Sequence, residues 1–382
     1  MRLFLNPRHG VPGTVVLPSG GFARAKAEIT AWPGYAPTRL HDLPAIAAQA
    51  GVATIRLKDE STRFGLGSFK ALGGAYAVAT LLNAKLARRG VANHVGSAEL
   101  GSGRHAAATD AITVTCATDG NHGRAVAWGA RRFHCSCVIF VHETVSQGRV
   151  DAIAAYGAEI RRVPGNYDDA VREADRAAQA NDWFVVSDTA YGGYTEIPRT
   201  IMQGYRLMAD EAADQWDGPP PTHVFIQAGV GGAAAAVSVQ MRARFEPAPA
   251  LIVVEPETAA CLLLSAENGH LSVVDGDLIT IMAGLACGEP SLLAWQELER
   301  AADAFMTVPD QAAKDSMRLL ADHHCVIGES GVAGLAACLL ACACPEGRTI
   351  LNLGPDSRVL LFGTEGATDI AVYRQIVDAA QN

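Results

Sequence analysis

Short apolar runs alternate with alanine-rich helical stretches along almost the whole chain, and this alternation constrains the fold more than any other feature. Strands are expected over residues 54–57, 112–116, 138–141, 184–187, 223–227, 251–254 and 359–362. Most are apolar on both faces, as parallel strands covered on both sides must be. Helices are expected over 69–82, 123–133, 167–180 and 199–213. The order implies a doubly wound α/β architecture. In such folds ligands sit beyond the carboxyl ends of the strands, where loops lead into helices.

The chain is 382 residues long, 49% hydrophobic and 19% charged. That is enough for a sizeable core, in two or three domains or one large α/β unit. Its net charge is −9, which argues against nucleic acid or an anionic membrane as the main partner. The nine cysteines are scattered or sit as close pairs (Cys135 with Cys137, Cys342 with Cys344). None has zinc spacing, so no metal is expected and buried thiols are the simpler reading. The opening MRLFLNPRHG lacks a secretory apolar region. The longest apolar run, 332–344, falls short of the roughly 20 residues of a membrane span. A cytoplasmic, soluble protein is expected. Residues 96–104 read as a polar, exposed excursion, and 217–222, with three prolines, as a connection between lobes.

Four loops carry candidate chemistry. In the first, Ser68-Phe69-Lys70 follows a polar, glycine-punctuated run and opens an Ala/Gly-rich segment. A lysine in a first helical turn is disfavoured as a cation by the helix dipole and by burial, and a neutral amine is what Schiff-base chemistry needs. An ordinary solvated lysine is the competing reading. The second loop, Thr118-Asp119-Gly120-Asn121-His122-Gly123, follows a strand; its glycines let backbone N–H groups approach a carboxylate. There Asn121 can donate to a hydroxyl or phenolate oxygen, and His122 is either a base or a structural hydrogen-bonder. In the third, Gly229-Val230-Gly231-Gly232 is a phosphate cradle by physics, although such turns also serve as plain connections. It lacks the spacing of a dinucleotide fold or P-loop. The fourth loop follows 359–362, where Thr364 can meet a ring nitrogen or simply end a strand.

Together, S-F-K at 68–70, G-N-H-G at 120–123 and G-V-G-G at 229–232 resemble, in order and spacing, the fold-type II pyridoxal-phosphate enzymes, the tryptophan synthase β and threonine dehydratase group. The strings KDESTRFGLGSFKALGGAY (58–76), ATDGNHGRAVAW (117–128), SDTAYGGYTEIPRTIMQGY (187–205), TIMAGLACGEPS (280–291) and SRVLLFGTEGATD (357–369) resemble that group's ammonia-lyase branch. The resemblance covers about residues 30–375. It implies two lobes, each a largely parallel twisted sheet with helices on both faces. The larger would comprise 1–81 and 196–382, with 82–195 inserted as the smaller. It implies pyridoxal 5′-phosphate as cofactor, carried by Lys70. Its phosphate would lie on Gly229, Val230, Gly231 and Gly232, its O3′ on Asn121, its ring nitrogen near Thr364, and Glu329 near the ring.

Asp119 and Asp188 match two carboxylates proposed as acid/base groups for opposite enantiomers. Thr118, Asp119, Gly120 and His122 would meet the substrate. The implied reaction is α,β-elimination of a small amino acid, D- or L-2,3-diaminopropionate, to pyruvate and ammonia by a homodimer. Asp119 stands where dehydratases carry Ala or Ser. Gly192 departs from a usual Glu, and GATD replaces GDTD, which bears on substrate scope. Serine or threonine dehydration, β-replacement, racemisation and a non-catalytic amino-acid sensor are the alternatives on this fold. A nicotinamide oxidoreductase would need the missing glycine fingerprint.

Overall fold

The computed structural model describes residues 1–93, 95–118, 120–165 and 167–379. Its strands are β1 (Leu3–Leu5), β2 (Leu40–Asp42), β3 (Thr54–Asp59), β4 (Thr113–Ala117), β5 (Ser136–His142), β6 (Glu159–Val163), β7 (Phe184–Val185), β8 (His223–Gln227), β9 (Ala250–Pro256), β10 (Ala304–Val308) and β11 (Arg358–Gly363). The seven expected strands all form. The four others, β1, β2, β6 and β10, escape sequence reading for separate reasons. The first two are three-residue edge strands, β6 is half polar (EIRRV), and β10 (AFMTV) follows a helix with only two residues between.

Two compact units are formed. The first comprises Met1–Leu17, Pro37–Ser68 and Met208–Asn382, and the second Pro18–Ala36 and Phe69–Leu207. These differ from the expected boundaries at 82 and 195. The helix Ala71–Arg88 belongs to the second unit because it packs closely on Asn121–Arg132: a Cβ on Gly129 would lie 2.8 Å from the Ala75 Cα.

The first unit holds a seven-stranded sheet, ordered β1-β10-β9-β8-β11-β3-β2. Its five central strands run parallel, and the edge strands β1 and β2 run antiparallel. A buried cluster, including Ile55, Leu57, Phe225, Ile252, Met306 and Leu361, lies between this sheet and its helices. The second unit holds an all-parallel sheet, ordered β6-β5-β4-β7. Both are the expected α/β layers. The register of β3, β11 and β8 matters for chemistry. Gly363 pairs with Asp59 and Leu361 with Phe225, so three adjacent strands end together and deliver segment 60–68, Thr364 and the glycine loop.

Two expectations are corrected. Residues 96–104 are not a bare excursion: Ser97–Gly101 is a short helix, and Ser97 and Leu100 are buried. The Trp32 indole donates to Ser97 Oγ, and Glu28 accepts the Ser97 N–H, which ties the segment down. The proline run at 217–222 does not join the units; it lies within the first. Among the described residues, no single helix is long and apolar enough to cross a membrane. All nine cysteines are free thiols.

Candidate functional site

In the second unit, Lys70 directly precedes the helix Ala71–Arg88. The Ala-Leu-Gly-Gly-Ala that follows is required by a helix crossing. A Cβ on Gly73 would lie 2.4 Å from the Tyr205 ring, and one on Gly204 would lie 1.8 Å from the Leu72 carbonyl. Close approach therefore sets Tyr205 of the helix Glu196–Gln215 beside the amine. The Lys70 Nζ lies 5.6 Å from the centre of the Tyr205 ring and 5.3 Å from that of Phe69. Burial pushes the Tyr205 phenol well above its usual range, so it stays neutral.

The Lys70 ammonium donates to Asp188 Oδ2 at 2.5 Å. Asp188 follows β7. Burial alone would raise its carboxyl, but Lys70 and His122 outweigh burial and hold it well below the usual carboxylate range. His122 is buried, donates Nε2–H to the Val186 carbonyl at 2.7 Å, and turns Nδ1 toward Asp188 at 3.7 Å. Its basicity falls through loss of solvent, with Asp188 opposing. The structure thus pairs Lys70 with a carboxylate, where sequence reading expected burial and the helix dipole to act on the amine alone.

The turn after β4 is held differently from expectation. The Thr118 Oγ1 accepts the N–H groups of Gly120 and Gly123, each at 3.0 Å. Those two donors, expected to face a ligand, are used inside the turn. A φ of 153° at Gly120 suits only glycine. A Cβ on Gly123 would lie 2.3 Å from Thr118 Cγ2. Asn121 opens the helix Asn121–Arg132, and its Oδ1 accepts from Arg124. Asp119 lies outside the described residues.

In the first unit, the loop after β8 enters the helix Gly232–Arg244. Gly231 has φ 95°, a left-handed conformation that favours glycine. A Cβ on Gly229 would lie 2.9 Å from Cys287 Sγ and 3.2 Å from the Gly284 carbonyl. Among the described residues, the N–H groups of Gly229, Val230, Gly231 and Gly232 donate to no acceptor. Four N–H groups at a helix N-terminus, with no Cβ on three of the four residues, suit a phosphate. Thr364 follows β11 and is buried; its Oγ1 accepts from Gln227 Nε2 at 2.7 Å.

Nearby, the Ser330 N–H donates to Glu365 Oε1, and Ser330 Oγ accepts the Gly284 N–H. Glu329, its neighbour, is buried. Gln227, Ser330, Glu365 and Tyr205 were not singled out from sequence. A glutamine ending an apolar strand (HVFIQ) was the one available signal. An amine, an anion cradle and a buried hydroxyl are the donors that pyridoxal phosphate needs, and the residues present fit it.

Known proteins share this sequence and fold. A family described as pyridoxal-phosphate dependent enzyme matches residues 31–356. Diaminopropionate ammonia-lyase of Escherichia coli K12 is 43% identical over 362 residues, covering 90% of this chain and 88% of that protein. The solved holo form of the E. coli enzyme superposes with a TM-score of 0.91 at 37% identity, covering 100% of this chain and 97% of that one. A second structure of that enzyme, holding an aminoacrylate–pyridoxal-phosphate azomethine reaction intermediate, gives a TM-score of 0.88 with the same identity and coverage. The chain therefore belongs to the pyridoxal-phosphate dependent enzyme family.

Proposed function

We propose that this protein is a lyase that removes ammonia from 2,3-diaminopropionate by α,β-elimination, giving pyruvate and ammonia, with pyridoxal 5′-phosphate on Lys70. The observation that carries the reading is the Lys70–Asp188 contact at 2.5 Å, in a chain that shares 43% identity with an ammonia-lyase over 90% of its length. When bound, the coenzyme supplies an electron sink for the charge left at Cα. By family resemblance, Gly229, Val230, Gly231 and Gly232 would hold its phosphate, Thr364 would serve its ring nitrogen, Asn121 its O3′, and Glu329 would stand near the ring.

The chain's own groups manage the protons. Lys70 would be the base for the Cα proton. An amide ion is a very poor leaving group, so the β-amine needs a proton before it departs. Asp188 is placed to pass that proton, because its Oδ2 accepts from Lys70 and faces Nδ1 of His122, and its carboxyl, held low by the Lys70 charge, gains basicity when that charge is lost. The N–H of His122, at the start of a helix, is suited to the substrate carboxylate, while Thr118 takes the N–H groups of Gly120 and Gly123. Asp119 and Asp188 divide the enantiomers between them. A cytoplasmic homodimer is our expectation from composition and family resemblance, and sedimentation of the purified protein tests the dimer.

Absorbance of the purified protein with coenzyme, followed by incubation with diaminopropionate and with serine, tests the reading. Two ammonia per pyruvate from diaminopropionate, and borohydride labelling of Lys70, are expected. Faster pyruvate release from serine, with one ammonia, would make it a dehydratase instead.

A further inference from the structure

β7 has only two residues, Phe184–Val185. It is the edge of its sheet and, among the described residues, pairs with β4 alone. On the β4 side the chain stays held past the end of the strand. The Val186 N–H donates to the Thr115 carbonyl at 2.8 Å, and the Val186 carbonyl accepts from His122 Nε2 at 2.7 Å. In an extended chain the Val185 carbonyl and the Ser187 N–H face the opposite side, where a further strand would pair with them. Here both go to one group. The Tyr194 hydroxyl accepts the Ser187 N–H and donates to the Val185 carbonyl, each at 3.0 Å. Neither bond can run in the other sense, because an N–H only donates and a carbonyl only accepts. Loss of solvent pushes the Tyr194 phenol well above its usual range, so it keeps its proton. A tight turn brings the ring back to this place: Tyr191 and Tyr194 exchange backbone hydrogen bonds at 3.2 and 2.9 Å, and their rings stack at 5.1 Å.

From this arrangement we infer that Tyr194 is a positioning residue for Asp188: its hydroxyl supplies the pairing of a missing strand, fixes where the chain leaves the sheet, and so aims the carboxylate one residue later at Lys70. The inference rests on the reading of Asp188 as the group that passes the proton. Asp188 follows Ser187 directly, and its Oδ2 lies 2.5 Å from Lys70 Nζ and 3.7 Å from His122 Nδ1. A backbone free to shift by about 1 Å would keep the charge and lose the contact, and such a misplacement costs on the order of 10²-fold in rate.

The test is Tyr194→Phe in the full-length protein, which keeps the stacked ring and removes both bonds. Without coenzyme, the His122 titration is followed by NMR. Burial lowers that imidazole's basicity and Asp188 raises it, so a carboxylate that has drifted away should move the titration to lower pH. In an Asp188→Asn background the further move should be clearly smaller. With coenzyme, kcat on each enantiomer of diaminopropionate that Asp188→Asn slows should fall about tenfold or more, with KM within about twofold. The Asp188→Asn protein should lose little more. Tyr191→Phe, which touches neither bond, should leave both readouts as in wild type.

An unmoved titration, or an unchanged kcat where Asp188→Asn is slow, overturns the inference. An equal shift in both backgrounds also overturns it, since the effect would then run through the Val186 peptide to His122 and not through the carboxylate. If Asp188→Asn slows neither enantiomer while Tyr194→Phe still moves the titration through Asp188, Tyr194 aims the carboxylate but the proton-passing reading fails. Should Tyr194→Phe not fold, 4-aminophenylalanine at 194 is read in its place with the same signs expected. It keeps the shape and the bond to Val185 but accepts poorly from Ser187.

Discussion

A lysine 2.5 Å from a carboxylate is arranged to exchange a proton with it, and this pair gives Asp188 a testable role. Asp188→Asn keeps the shape and removes the charge. It should lower kcat/KM on at least one enantiomer of diaminopropionate by on the order of 10²-fold or more, the usual scale for a lost acid/base group. If both enantiomers turn over as in wild type, Asp188 does not pass the proton. The same variant has an electrostatic consequence at His122. Burial lowers that imidazole's basicity and Asp188 raises it, so removing the charge should move the His122 titration to lower pH, read by NMR. At this scale Lys70 and Asp188 were legible through long matching strings. Tyr205 was not, because only the crossing of two helices at Gly73 and Gly204 brings it beside the amine.

Elements explain why the glycines stand where they do. The loop after β8 needs a left-handed residue at Gly231, and its Cβ position is hemmed in at 3.0 Å by the Ala294 side chain and at 3.1 Å by Leu262. Gly231→Ala should therefore shift the loop and raise the coenzyme dissociation constant at least tenfold by absorbance titration. Unchanged affinity would mean the phosphate sits elsewhere. The turn after β4 shows how sequence misleads. Glycine and polar residues before a helix read equally well as a ligand cradle or as a self-capped turn. Which one forms depends on where the Thr118 hydroxyl points. That is a side-chain rotamer, which local sequence does not encode, and here it takes two of the N–H groups. Strand existence was readable wherever both faces are apolar, and unreadable at polar or three-residue edges such as β6 and β1.

At the scale of the whole molecule, the chain's −9 charge contrasts with a buried charge cluster that cancels. Lys58, Glu60, Arg63 and Glu211 are all under 5% exposed. Arg63 bonds both Glu60 and Glu211, and Lys58 meets Glu211 at 2.8 Å. They anchor the segment that runs from β3 toward Ser68, which itself bridges to Glu365. Arg63→Met removes one cation and strands a carboxylate, and should cost about 3–5 kcal/mol near pH 8.

The pH dependence follows from Glu60. Burial would raise its carboxyl, but Arg63 outweighs burial and lowers it. In wild type this contributes stability that is fully present above the ordinary carboxylate pKa of about 4.3 and is lost only as the pH falls through the depressed folded value. Without Arg63 burial dominates and the folded value rises above the ordinary one. The penalty then grows as the pH rises from that ordinary value through the raised one. The deficit in urea midpoint should consequently be larger at pH 8 than at pH 5. An equal deficit at both would mean that Arg63 stabilises the segment through packing of its side chain and not through its charge.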